Sequence, residues 1–433
     1  MDNVLKFPNG MRLVQSWQSG EEAGCDALKH VLERATQGEF DDNFAWPGPT
    51  DAIHIGGSIN LVTLTMMHDF FGHESSEFYK GDPERYVRTT LMTRRLLGMN
   101  KLYLSWPVYA FTAEAMGQTT MYPDKFPPGS DPDVMLLNRD NWQDVQTPDF
   151  NSGIPAIIEK MIRCYVRLTG LEPILHLSAP YSLAADTFGQ EPLLAALVHE
   201  PEFAKDLLQR LADRVLRPWI DDFIKKFPNG WVELSDASGS PFFIGPRNCK
   251  DISIASIQYL KKNMPWGHRV YDANYRGDYV TQVKPKTRRR GRNSGIGDPQ
   301  LEPVSLDALT EAKHSVCRDY VMRLHDDHVP TDYYRDKAIE YGVPLYSGVG
   351  SSQIDRNSIR DLDAEKEALR ALTESQVQAI KDVACAITAN GYKNRLPPWP
   401  GTVYFEDVSS ETSFDLMEAI IEAAHEHGHY NCE

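Results

Sequence analysis

The chain has 433 residues, with 45 Lys and Arg against 61 Asp and Glu, for a formal net charge of −16. That sign argues against a general nucleic-acid binder, which must neutralise phosphates, although a local positive pocket can depart from it. Apolar residues make up 41% of the chain, ordinary for a soluble core, and no run approaches the roughly 18 apolar residues of a membrane helix.

Residues up to about 50 read as a helical N-terminal extension, with Leu28, Val31 and Leu32 apolar at helical spacing within Glu21 to Ala35. Trp46-Pro47-Gly48-Pro49 is a turn cluster that leads into the main domain, 51–433. Ala52 to Ile55 is a strand candidate ending in Gly56-Gly57. Helices follow over Leu61 to Phe71 and Pro83 to Leu97, and the next strand is Lys101 to Ser105. Thr119 to Tyr122 is a strand or a loop arm, and Asp124 to Asp149 is a Pro, Asp and Asn-rich excursion. Ile154 to Leu168 is a helix feeding the apolar stretch Pro173 to Leu177, which ends in the small-residue turn Ser178-Ala179-Pro180. A long helical pattern covers Pro192 to Phe227, and Trp231 to Leu234 is a strand ending in the polar loop Ser235 to Gly239. A helix from about Asp251 to Asn263 precedes the strand Arg269 to Tyr271. The region 278–331 interrupts the rhythm with the basic run Lys284 to Arg292 and a helix through Ser305 to Leu324, and reads as an insertion. The basic run is either a phosphate or acidic-partner site or a solvated loop. Strands at Val343 to Ser347 and Thr402 to Phe405 and helices at Ala364 to Asn390 and Ser413 to His427 complete the chain. Strands alternating with helices point to a parallel sheet, and this many units to a closed (β/α)8 barrel. No G-x-G-x-x-G follows any strand, so a dinucleotide fold has no support.

The N-terminus carries no signal-peptide pattern. Cys25, Cys164, Cys249, Cys317, Cys385 and Cys432 form no C-x-x-C pair. Free thiols in a reducing cytoplasm are the expectation.

In a barrel, chemistry sits where strands end at their carboxyl side. Asp236 follows one such end and could give or take a proton; its alternative is a loop-capping carboxylate. His54 and His176 are read near the carboxyl ends of their strands, as metal ligand or proton carrier against satisfied core histidines. His54 is the candidate metal ligand, and His176 and Tyr181 the candidate substrate contacts beside the Ser178 turn. His325 and His328, with His314 and Cys317 nearby, share a helical face, and His425, His427, His429 and Cys432 crowd the C-terminus. Either group could bind a transition metal, or be surface polarity.

The order strand, polar turn, helix, strand, acidic turn resembles the uroporphyrinogen decarboxylase superfamily. Its members often carry "GPFTLAA…G", "DPE" and "D.AG"; here the matching stretches read SAPYSLAADTFG, HEPEF and LSDASG. The superfamily also holds corrinoid-linked methyltransferases, whose "vEAeaLG" stretch is matched by Ala113-Glu114-Ala115-Met116-Gly117. The resemblance implies a barrel, a homodimer, and functional roles for Asp236 and Glu114, the latter near metal and substrate. The zinc motif H-x-C-G of that branch is replaced by Asn274 and Arg276, and its third cysteine has no counterpart around Trp399 to Val403. Amide oxygen is a poor zinc ligand and guanidinium is none, so the zinc site is expected to be absent. The decarboxylase segment RQAGR is also missing; Gly56 to Asn60 stands in its place.

Three readings are open. The first is a methyltransferase working between a small substrate and a corrinoid or pterin carrier, the corrinoid held by a partner protein. The second is a decarboxylase or other lyase, with Arg276 anchoring a carboxylate and Asp236 supplying a proton. The third is a non-catalytic barrel that binds a small molecule or partner. In each, Asp236, Glu114, Asn274 and Arg276 are expected to line one cavity of mixed charge that favours a zwitterionic or carboxylated ligand.

Overall fold

The structure is a computed structural model that describes residues 9–48, 51–262, 264–273, 304–317, 319–323, 329–390 and 401–430. Nine strands are described: β1 His54–Gly57, β2 Thr120–Met121, β3 Gly129–Ser130, β4 Ile174–Ser178, β5 Trp231–Ser235, β6 Val270–Asp272, β7 Val321–Arg323, β8 Leu345–Val349 and β9 Thr402–Phe405. Two parallel sheets carry the fold, ordered β1-β9-β8-β7 and β4-β5-β6, while β2 and β3 pair antiparallel as a separate arm. These ladders do not close a ring among the described residues. Helices cover the sheets, so the strands are buried on both faces and read as apolar runs. Gly348 shows how tightly β8 meets β9: a Cβ there would lie 1.7 Å from the Tyr404 carbonyl oxygen.

The helices mostly follow their apolar spacing, with breaks where local chemistry demands them. The long pattern Pro192 to Phe227 is three helices, Gln190–His199, Pro201–Leu211 and Arg217–Lys226, the last two joined by a π turn at Ala212–Leu216. Proline disfavours helical geometry in the residue before it, and Glu200 ahead of Pro201 has φ −145° and ψ 57°. The N-terminal helices Gly10–Ser19 and Glu22–Thr36 bury Val14, Leu28 and Leu32, and pack on Pro83–Leu96 and Phe414–His427.

Some sequence expectations are corrected. The segment Lys101 to Ser105 forms no ladder of its own, because side chains take its carbonyl groups. Tyr165 Oη donates to the Leu102 carbonyl at 3.3 Å, Arg94 Nε to Tyr103 at 2.7 Å and Tyr86 Oη to Ser105 at 2.5 Å. The Lys101 amide still donates to the Ile55 carbonyl at 3.0 Å, which ties the segment to β1. The helix read through Leu324 ends at Val316, and the chain then enters β7, which pairs with β8. Thus 278–331 is not wholly an insertion. The basic run lies outside the described residues, as do Asn274, Arg276, His325, His328 and Cys432. Cys385 is disulfide-bonded, so the expectation of free thiols fails there, while Cys25, Cys164, Cys249 and Cys317 are free. Among the described residues no helix is long and apolar enough to cross a membrane.

Candidate functional site

Parallel register builds the centre of the site. His176 on β4 is the Cα partner of Glu233 on β5, and Glu233 is the partner of Tyr271 on β6. Successive side chains on a strand alternate faces, so partnered residues share one face. These side chains make a row across the sheet. His176 Nδ1 lies 3.1 Å from Glu233 Oε1, and Tyr271 Oη donates to Glu233 Oε2 at 2.8 Å. Tyr103, from the segment after Lys101, adds a short hydrogen bond to Glu233 Oε1 and lies 3.3 Å from His176 Nδ1. Trp106 packs edge-on against the imidazole, with centroids 5.0 Å apart.

Burial alone would raise the Glu233 carboxyl. The His176 ring and the hydrogen bonds from His176, Tyr103 and Tyr271 outweigh it and hold the group below its ordinary value. An ionised carboxylate only accepts hydrogen bonds. Whenever the ring is uncharged, Glu233 holds its proton on Nδ1, which leaves Nε2 as the acceptor.

Two cavities meet at this row. The larger, about 280 Å³, is lined by His176 and Glu233 together with residues that follow strand carboxyl ends: Ser58 and Asn60 after β1, Ala237 after β5, Ala273 after β6, and Glu406 and Asp407 after β9. Tyr79, Tyr103, Trp106, Tyr109 and Tyr404 complete much of its wall. The smaller, about 50 Å³, lies on the other side of Tyr103, Glu233 and Tyr404 and reaches Lys101, Tyr271 and Tyr346. Lys101 Nζ sits 4.1 Å from the Tyr346 ring centroid. Burial pushes its ammonium down to about 7; Glu233 opposes that shift and Arg94 adds to it.

Of the candidate site residues that the structure describes, only His176 lines the larger cavity. Asp236 does not, although Ser235 and Ala237 on either side of it do. Its carboxylate turns into the protein, accepting from Ser182 N at 3.1 Å and Ser182 Oγ at 2.7 Å, and from Ser253 Oγ through a short bond. Burial raises it in spite of those bonds. This is the arrangement of a carboxylate that pins a loop to two helical segments. Asp236→Ala should therefore lower stability by about 3 kcal/mol, because it strands buried donors. Chemical denaturation checks this, and a loss of turnover with unchanged stability would contradict it.

Glu114 does not line the cavity either. It sits on the helix Val108–Ala115, bound to Lys80 at 2.9 Å and to Tyr122 through a short bond. Tyr181 is fully buried, its hydroxyl without a hydrogen-bond partner. His54 is the first residue of β1, at the amino end rather than the carboxyl end, and is 2% exposed. Burial, with the Lys101 charge adding to it, pushes it down to about 3. Among the described residues no group of three or more His, Cys, Asp or Glu is placed to share a metal ion. His314 instead stacks on Tyr341, with centroids 3.8 Å apart.

Glu233, Lys101 and Tyr103 were missed by sequence reasoning. The signal was present for Glu233: a lone carboxylate in the apolar run Trp231-Val232-Glu233-Leu234 is an expensive burial that needs partners. Glu406 and Asp407, directly after the apolar strand Thr402 to Phe405, carry the same kind of signal. Asp407 also has φ 49°, a left-handed conformation that few residues other than glycine adopt.

No protein-family model matches the sequence, and no curated protein matches it. Among solved structures, a methyltransferase from Methanosarcina mazei is similar over 92% of this chain and 98% of that one, with a TM-score of 0.59 and 11% identity. At that identity the likeness speaks for the fold, an α/β architecture with parallel sheets.

Proposed function

We propose that the chain is a methyltransferase on a (β/α)8 barrel, in which the segment Lys101 to Ser105 stands as a stave between β1 and β4. It moves a methyl group between a small substrate and a corrinoid or pterin carrier. The observation that carries this reading is the His176–Glu233 pair on the wall of a cavity at the carboxyl ends of parallel strands. The fold likeness to a methyltransferase over nearly the whole chain supports it.

A cavity of about 280 Å³ suits a small substrate. A corrinoid macrocycle is far larger, so such a carrier would meet the mouth from a partner protein. The carrier supplies or receives the methyl group. The chain itself orients the substrate and handles its proton. Glu233 fixes the imidazole, and His176 Nε2 takes the proton of a thiol or hydroxyl as it becomes a nucleophile. The positions that hold zinc ligands in the methyltransferase branch read Asn274 and Arg276 here, so activation of the nucleophile is assigned to His176.

The test is demethylation of methylcobalamin, followed by absorbance, with a panel of small thiols and alcohols. Turnover should be seen for some members and fall about 100-fold or more in His176→Ala. No demethylation by the intact protein, with carbon dioxide released from carboxylated compounds instead, would replace this reading with the lyase.

A further inference from the structure

We propose that the arm formed by β2 and β3 is a lid on the larger cavity, and that Glu114 latches it shut through Tyr122 and Lys80. It takes this cavity as the substrate site, without resting on the methyltransferase reading of the chemistry there.

The arm has little to hold itself in place. Its ladder pairs Thr120 with Ser130 and Met121 with Gly129, and the Asp131 amide then donates to the Thr119 carbonyl at 2.9 Å. A two-stranded hairpin this short is marginal in water. The base of the arm is fixed instead by Gln118, a buried amide that donates to the Val134 carbonyl at 2.8 Å and accepts from Leu136 N at 2.8 Å. Residues 122–128 form the tip, and Pro127 in that tip is part of the cavity wall. A fixed base with a weakly paired tip is the build of a segment that opens and closes.

The latch sits at the first residue of the tip. Tyr122 Oη donates a short hydrogen bond to Glu114 Oε2, and Lys80 Nζ donates to Glu114 Oε1 at 2.9 Å. The same ammonium lies 3.9 Å from the centroid of the Tyr122 ring, so each of the three groups touches the other two. Charge-assisted hydrogen bonds and a cation over a ring face are strong contacts for side chains. Burial, and then Glu114 itself, push the Tyr122 hydroxyl up, so it remains a donor.

These groups also stand on three separate pieces of the cavity wall. Lys80 follows Tyr79, Glu114 shares its helix with Val108, and Tyr122 is on the arm with Pro127; Tyr79, Val108 and Pro127 all line the cavity. The latch therefore joins the arm to the wall that the arm completes. A second tie, Lys125 Nζ to Asp69 Oδ1 at 2.6 Å, has side chains 48% and 31% exposed and contributes little, as surface ion pairs do. The Lys80 and Glu114 side chains are 28% and 23% exposed, so water screens them less. Glu114, singled out from sequence for catalysis, becomes a positioning residue that acts through the arm.

The test needs no turnover. Trypsin cuts after Lys125 faster the more often the arm leaves its seat, and diethyl pyrocarbonate reaches His176 through the cavity. Peptide mapping by mass spectrometry reads both reactions on the intact protein. Glu114→Gln keeps the shape and removes the charge. It should speed both reactions by about ten-fold, the effect of weakening one charge-assisted hydrogen bond, and leave the urea midpoint of global unfolding in place. Tyr122→Phe removes the hydroxyl alone and should do the same, which keeps the readout should Glu114→Gln fail to fold. Unchanged rates in both variants overturn the latch. A fall in the urea midpoint large enough to account for both rates would make Glu114 merely structural and overturns it too. Faster cutting at Lys125 with unchanged acylation of His176 overturns the lid, because the arm would then move without opening the cavity. None of these readings involves methylcobalamin, so the lid and the methyltransferase fail separately.

Discussion

Glu233→Gln should lower kcat by about 100-fold or more while KM moves little. Glutamine has the same shape, and its carbonyl oxygen in the place of Oε1 can still accept from Tyr103 and His176 while its NH2 donates to the Tyr271 hydroxyl. What it lacks is the charge. The imidazolium that forms when Nε2 takes the substrate proton then has no carboxylate to stabilise it. Glu233 is thus a positioning residue that acts through His176, held 3.1 Å away. A merely structural role would also lower activity, so the double variant decides. If Glu233 acts only through the imidazole, His176→Ala with Glu233→Gln should be no worse than His176→Ala alone. Losses that multiply would sink the pairing.

Lys101→Met should alter the pH dependence of stability strongly on the alkaline side of neutrality. The ammonium has an ordinary value of 10.5 and is pushed down to about 7 in the fold. Between those values the unfolded chain binds a proton that the folded chain does not. Stability from this group therefore rises with pH across the window from about 7 to 10.5, and the buried charge is a full penalty below it. Lys101 is 8% exposed, so solvent screens little of this. The difference across the window is on the order of 5 kcal/mol. Methionine matches the lysine stem out to Cε and carries no charge. Urea unfolding of both proteins at pH 7 and pH 10 reads the effect. The original protein should gain on the variant as pH rises, and a pH-independent difference would mean that the lysine keeps its proton in the fold.

Strand–helix alternation was legible in the sequence because burial on both faces writes each strand as an apolar run. β4, β5, β8 and β9 stand within a few residues of where those runs predicted them, and helices such as Pro83–Leu96 and Phe414–His427 follow their apolar spacing. His176 was legible as a polar group in such a run. Its partner was not singled out, although the carboxylate of Glu233 stood equally isolated between Val232 and Leu234. The segment at Lys101 misled for a physical reason: its residues suit a strand, but Arg94, Tyr86 and Tyr165, distant in sequence, claim its carbonyl groups.

The sequence by itself determined the class of fold, since periodicity depends only on which neighbours along the chain are apolar. It also placed His176 on a strand and Asp236 in the loop after one. Only the tertiary structure decided which way those side chains face. Asp236 turns to Ser182 and Ser253 because their hydroxyls and an amide offer more to a carboxylate than the cavity does. Glu233 and His176 meet because two parallel strands align at that register, a pairing set by the packing of whole helices on the sheet. Register, and with it the meeting of an imidazole and a carboxylate 57 positions apart, is a property of three-dimensional packing that no local pattern encodes.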